Sequence, residues 1–144
     1  MTVQDLAPWQ RPTVRWAPVC SLGDLPPEQG LAALLPGGVT VALFRLHSGE
    51  IHAVGNVDPF TGAPVICHGI VGDRGGTPVV TGPLGKETFA LATGRCLEPP
   101  ESGTEVRLPV YGVRVTGEVV EVSCGVTGVT GVTPRGNAGE TRVG

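Results

Sequence analysis

An all-β chain, folded as an antiparallel β-sandwich or partly open barrel, is predicted by three observations. No segment holds a 3.6-residue apolar period for three turns, so no amphipathic helix is signalled. Glycine (23 residues) and proline (14) interrupt the chain too often for long helices. Short β-branched runs separated by turn residues recur at a spacing of about ten residues, the signature of eight or nine short strands.

The elements follow in order. Residues 14–19 read as a first strand, and 21–29, with Asp24, Pro26 and Pro27, as a turn or a single helical turn. Residues 39–47 alternate, placing Val39, Val41, Leu43, Arg45 and His47 on one side and Thr40, Ala42, Phe44 and Leu46 on the other. Ser48-Gly49-Glu50 then turns that strand into 51–54, forming a hairpin. Residues 77–81, 88–92, 105–108, 111–115 and 119–122 complete the strand set, with Thr93-Gly94 and Thr116-Gly117 as turns.

The folded domain is expected over residues 12–124, after a loose N-terminus at 1–11. From Gly125 the chain repeats Gly-Val-Thr three times and then becomes polar. Such a stretch buries too little apolar area to offset the entropy of ordering it, so 125–144 reads as a disordered tail whose removal should leave stability unchanged. An edge strand over 126–132 is the alternative.

Composition excludes several function classes. At 144 residues and 14.7 kDa the chain is one domain, large enough to bury roughly 68–70% of its unfolded surface without disulfide or metal staples. Net charge is −3, with one Lys (Lys86) and nine scattered Arg, which is no basic face for nucleic acid. The longest largely apolar run, 39–44, falls far short of the ~20 residues of a membrane span. Residues 1–10 lack both a basic start and an apolar centre, so a soluble cytoplasmic protein with no membrane association is expected. In that compartment Cys20, Cys67, Cys96 and Cys124 are expected to be reduced and mostly buried. Only His47 and His52 approach a metal-ligand spacing, and no second pair completes a site. Cys67-His68 joins two ligand types, but neighbours on a strand face opposite ways, and a loop cysteine beside an exposed histidine is the better reading.

Two loops carry the functional signal. The first reads Asn56-Val57-Asp58-Pro59-Phe60-Thr61-Gly62-Ala63 and the second Gly82-Pro83-Leu84-Gly85-Lys86-Glu87-Thr88-Phe89. Their frame resembles the Rieske family, whose first loop runs Cys-Pro-His-x-Gly-Ala and second Cys-Pro-x-His-Gly-x-x-Phe, two thiolates holding one iron and two imidazoles the other. Here Pro59, Gly62, Ala63, Pro83 and Phe89 fall in frame, while the four ligand positions carry Asp58, Phe60, Gly82 and Gly85. A carboxylate can replace one ligand; a phenyl ring and two glycines offer no donor atom.

Within that family, Asn56-Val57-Asp58-Pro59-Phe60, Pro83-Leu84-Gly85-Lys86-Glu87-Thr88-Phe89 and Gly94-Arg95-Cys96-Leu97-Glu98 together resemble the small subunit of the cytoplasmic NAD(P)H-dependent nitrite reductase. Trp16-Ala17-Pro18-Val19-Cys20 and Val41-Ala42-Leu43-Phe44-Arg45 also match, and the similarity covers about residues 13–123. Gly85 departs from the larger polar residue common there. The resemblance implies a Rieske-like fold with two loops in place of the cluster-binding loops. It also implies a partner, a large subunit carrying FAD, a [4Fe-4S] cluster and siroheme, which reduces nitrite to ammonium by six electrons. The small subunit then holds no cofactor or metal and supplies no catalytic residue. The chain has no phosphate loop in a βαβ context and no Ser/His/Asp arrangement, which fits that division. A [2Fe-2S] Rieske-type ferredoxin and a free-standing Rieske-like interaction module are the competing readings.

Individual loop residues have expected roles. Asp58, Pro59, Leu84 and Lys86 are candidate partner contacts, Asp58 and Lys86 giving opposite charges around apolar Pro59 and Leu84. Phe60 is expected to fold inward and fill the space a cluster would occupy. Gly82 and Gly85 are expected to permit positive φ, and Trp16 and Phe89 to lie in the core.

Overall fold

The computed structural model describes Ala7 and residues 13–98 and 105–127. Among the described residues ten strands, all paired antiparallel, make three sheets. β1 (Thr13–Ser21), β9 (Val113–Thr116) and β10 (Val119–Thr127) form a three-stranded sheet in the order β1-β10-β9. β2 (Gly30–Leu34), β3 (Thr40–Arg45), β4 (Ile51–Gly55) and β8 (Val110–Tyr111) form a second in sequence order. The third contains β5 (Ile70–Arg74), β6 (Thr77–Thr81) and β7 (Thr88–Ala90). None of the three closes on itself, so the architecture is an open one of packed sheets rather than a barrel.

The second sheet is the middle layer. Alternation along β3 sends Val41 and Leu43 into one core, with Ala17, Leu25, Leu35, Ala53, Val120 and Val122. Ala42 and Phe44 enter the other core, with Val54, Ile66, Val80, Phe89, Leu91 and Leu108. Both faces of β3 are therefore apolar, and its four central residues are fully buried. The predicted hairpin is present: β3 pairs with β4, Leu46 N donates to Glu50 O at 2.8 Å, and Gly49 sits at φ 98° in the turn.

Several expected boundaries move. The 21–29 stretch contains a 3-10 turn at Leu22–Asp24, fastened by the Ser21 amide to Asp24 Oδ2 at 3.1 Å. β2 was not foreseen because Gly30-Leu-Ala-Ala-Leu lacks β-branched residues; pairing with β3 over its whole length overrides that preference. β5, with its internal Gly72, was missed for a similar reason and is held by β6. The strand expected over 105–108 is reduced to a bridge between Arg95 and Arg107. The one expected over 111–115 breaks at Gly112, whose amide donates to Ser123 Oγ instead of continuing the ladder.

The domain boundary at 124 is also corrected. β10 continues to Thr127, with Gly125, Val126 and Thr127 paired to Arg15, Val14 and Thr13. Removing 125–144 would take those three paired residues with it, so the tail cannot begin at 125. The remaining tail, 128–144, and the loose segment at 1–11 lie outside the described residues, apart from Ala7. Trp16 is not a core residue either: it is half-buried on β1, and the Arg114 guanidinium lies 4.5 Å from its ring centroid.

Candidate functional site

Both loops are built from within by their own polar groups. Loop one leaves β4 and ends in the 3-10 turn Ile66–His68. Asn56, 3% exposed, joins its two ends: Oδ1 accepts from Cys67 N at 2.8 Å and Nδ2 donates to Pro64 O at 3.2 Å. Asp58 organises the tip, accepting from Phe60 N on Oδ1 at 2.8 Å, while its own amide donates to Ala63 O at 2.8 Å and its carbonyl accepts from Gly62 N at 2.7 Å. These bonds are what the Asn-x-Asp-Pro-Phe stretch supplies: a closed loop that needs no metal to hold it.

Asp58 is fully buried, which corrects the expectation that it presents a charge at the rim. Its Oδ2 has no hydrogen-bond partner, and a Cβ added at Gly82 would stand 3.7 Å from it. The two positions that carry thiolates in the Rieske frame therefore still face each other, one filled by a carboxylate and the other empty of side chain. Gly82 and Gly85 do not sit at positive φ, contrary to expectation; Gly62 (78°) and Lys86 (66°) do. A Cβ at Gly85 would meet the Glu87 carboxylate, so a side chain there requires that movable carboxylate to shift. Glu87 Oε1 is likewise buried and without a partner.

Phe60 reaches inward only in part. Its ring centroid is 6.4 Å from that of fully buried Phe89, at an interplanar angle of 38°, while 39% of the residue remains exposed. Pro59, Leu84 and Lys86 are exposed at the loop tips as expected. Val57, 47% exposed, joins them, so the tip presents Val57, Pro59, Phe60 and Leu84 around one cation. Val57 lies outside the positions aligned with the cluster frame, and its place between buried Asn56 and Asp58 turns it outward.

Loop two, 82–87, is closed by Gly82 N to Glu87 O at 2.8 Å. Behind it lies the third motif. Gly94 turns the chain, Cys96 is buried in the core beside Phe89, and Glu98 reaches back to the foot of the loop. Arg74 holds the Glu98 carboxyl below the usual carboxylate range, helped by the Thr88 amide.

The residues do not fit a [2Fe-2S] cluster: the positions that would ligate it offer one internally bonded carboxylate, one phenyl ring and two glycines. No other group of three or more His, Cys, Asp or Glu converges among the described residues. His47 lies 3.5 Å from Glu28 and His52 3.2 Å from Glu50, each with a separate partner. Cys67 is buried and His68 exposed, as expected. All four cysteines are free. Burial pushes the Cys20, Cys67 and Cys96 thiols up, which disfavours the thiolate needed for ligation or nucleophilic attack. Anaerobically purified protein is expected to contain no stoichiometric iron; two irons per chain by metal analysis, with a red-brown charge-transfer spectrum, would refute this.

Open antiparallel sheets bearing paired loops in the Rieske frame, with the ligands replaced, define the class as a Rieske-like domain. Residues 15–123 match the Rieske-like [2Fe-2S] domain model. The chain is 35% identical over 109 residues to the nitrite reductase (NADH) small subunit of Escherichia coli K12, covering 75% of this chain and 96% of that protein. A crystal structure assigned to the NADH-dependent nitrite reductase small subunit of Mycobacterium tuberculosis superposes with a TM-score of 0.72 at 47% identity, covering 78% of this chain and 96% of that one. An 84-residue match at 37% identity also falls within the nitrite reductase [NAD(P)H] large subunit of Klebsiella oxytoca, spanning 58% of this chain and 9% of that protein. This chain belongs to the nitrite reductase small-subunit family of Rieske-like proteins.

Proposed function

We propose that this chain is a non-catalytic component of a cytoplasmic NAD(P)H-dependent nitrite reductase, supporting the six-electron reduction of nitrite to ammonium by a siroheme large subunit that also carries FAD and a [4Fe-4S] cluster. The observation that carries this reading is a family-length match to small subunits combined with loops whose ligand positions are filled by Asp58, Phe60, Gly82 and Gly85. A chain without donors for the cluster contributes through shape and contact. The match to part of a large-subunit protein supports association with a large subunit, because that relative unites both kinds of sequence in one polypeptide.

The loop tip is the contact surface in this reading. Val57, Pro59, Phe60 and Leu84 provide apolar area, and Lys86 provides the charge that orients it. Asp58 serves from inside, by fixing the loop's shape. The double change Leu84→Ala with Lys86→Glu is expected to leave folding nearly intact, since both residues are exposed and glutamate meets the same positive φ as lysine. It should weaken association with the large subunit by about 2 kcal/mol or more if these residues are hot spots. Titration of both chains against the large subunit, with NAD(P)H-dependent nitrite reduction as the second readout, tests it. Unchanged affinity and unchanged turnover would place the contact elsewhere.

A further inference from the structure

We infer that Arg74 and Glu98, which lie outside both loops, are positioning residues that set the stance of loop two and thereby of Leu84 and Lys86. This deepens the docking reading above and rests on it. Loop two hangs between Thr81 and Thr88, the last paired residues of β6 and β7. Their hydroxyls meet at 3.1 Å. Thr88 is 3% exposed, and all its polar atoms are engaged, the backbone pair by residues 97–98 and the hydroxyl by Arg74 and Thr81. Its amide donates to Glu98 Oε1 at 2.9 Å, its carbonyl accepts from Leu97 N at 2.8 Å, and its hydroxyl lies 3.3 Å from Arg74 Nη2. The same Arg74 nitrogen donates to Glu98 Oε2 at 2.9 Å, closing a ring through the end of β5, the start of β7 and the Cys96–Glu98 segment.

The chemistry explains why this ring positions the loop more than it stabilises the fold. Arg74 and Glu98 are each about half exposed, with side chains 50% and 48% accessible, so as a simple ion pair they would contribute little. The bond from a buried amide to a carboxylate is different, because removing the acceptor strands a donor that water reaches poorly. Within loop two the Gly82–Glu87 bond is the one backbone closure across the base, one residue from the clamped Thr88. Loosening Thr88 therefore frees the hinge on which the exposed tip stands.

Glu98→Ala and Glu98→Gln separate this role from a charge effect. Glutamine keeps an oxygen for the Thr88 amide and loses the charge toward Arg74; alanine loses both. Hydrogen exchange is read at the Gly82 and Thr88 amides of the full chain, alongside titration against the large subunit. Glu98→Ala is expected to speed exchange at both amides by about tenfold or more and to weaken association about tenfold, with Glu98→Gln between it and wild type. Unchanged exchange at both amides in Glu98→Ala overturns the clamp, as does equal behaviour of the two variants. Faster exchange with unchanged affinity upholds the clamp and overturns the docking role of loop two, so the two readings fail separately.

Discussion

Gly94→Ala is expected to destabilise the domain by more than about 3 kcal/mol, enough to unfold a marginally stable chain. Gly94 adopts φ 76°, where a Cβ costs roughly 1–2 kcal/mol. The added methyl would also stand inside the van der Waals shell of the Leu108 carbonyl oxygen and 3.0 Å from Val110 Cγ2. That carbonyl belongs to main chain that cannot swing aside: Leu108 N donates to Gly94 O at 2.7 Å, and Leu108 is 1% exposed. Gly62 provides the control. Its φ of 78° is nearly the same, yet nothing lies within 4 Å of an added Cβ, so Gly62→Ala should cost only the conformational part, roughly 1–2 kcal/mol. Chemical denaturation of both variants measures the difference. Equal losses would mean that the close approach of Gly94 to Leu108 does not exist in solution.

Phe89→Ala is expected to cost about 3–5 kcal/mol, the range for emptying an aromatic site in a packed core. Phe89 is fully buried, between the central sheet and the β5-β6-β7 sheet, in one cluster with Phe44, Ile66, Val80, Leu91 and Leu108. It also underlies the loop pair, through its ring contact with Phe60. Phe60→Ala should cost far less, because that ring is already 39% exposed and leaves a notch open to water rather than a sealed cavity. Thermal and denaturant midpoints of the two variants check the ranking. A larger loss at Phe60 would show that loop one, and not the core beneath it, holds this end of the molecule together.

The strands with alternating β-branched residues were legible: 39–47 and 51–54 became β3 and β4, and 77–81 became β6. β2 and β5 were not, since an alanine-rich run and a glycine-bearing run acquire strand geometry only by pairing with the next strand across a turn. At the site, the sequence showed which positions had lost their donor atoms, because side-chain chemistry is read directly from residue type. It could not show where those side chains go. Asp58 was expected outside as a charged partner contact opposite Lys86, but its bond to the Phe60 amide and the enclosing loop hold it fully inside.

The sequence alone determined an all-β chain and, in the two loops that resemble the Rieske frame, ligand positions without a full donor set, since period-two patterning and donor inventory are local properties of the residues. Only the tertiary structure decided what replaced the cluster and what holds the loops without it. Phe60 against Phe89 and the Arg74–Glu98–Thr88 ring are each made by segments that meet only when the sheets pack. Contacts between residues far apart in the chain depend on how the sheets pack, and packing distances of a few ångströms are not written in the sequence of one segment.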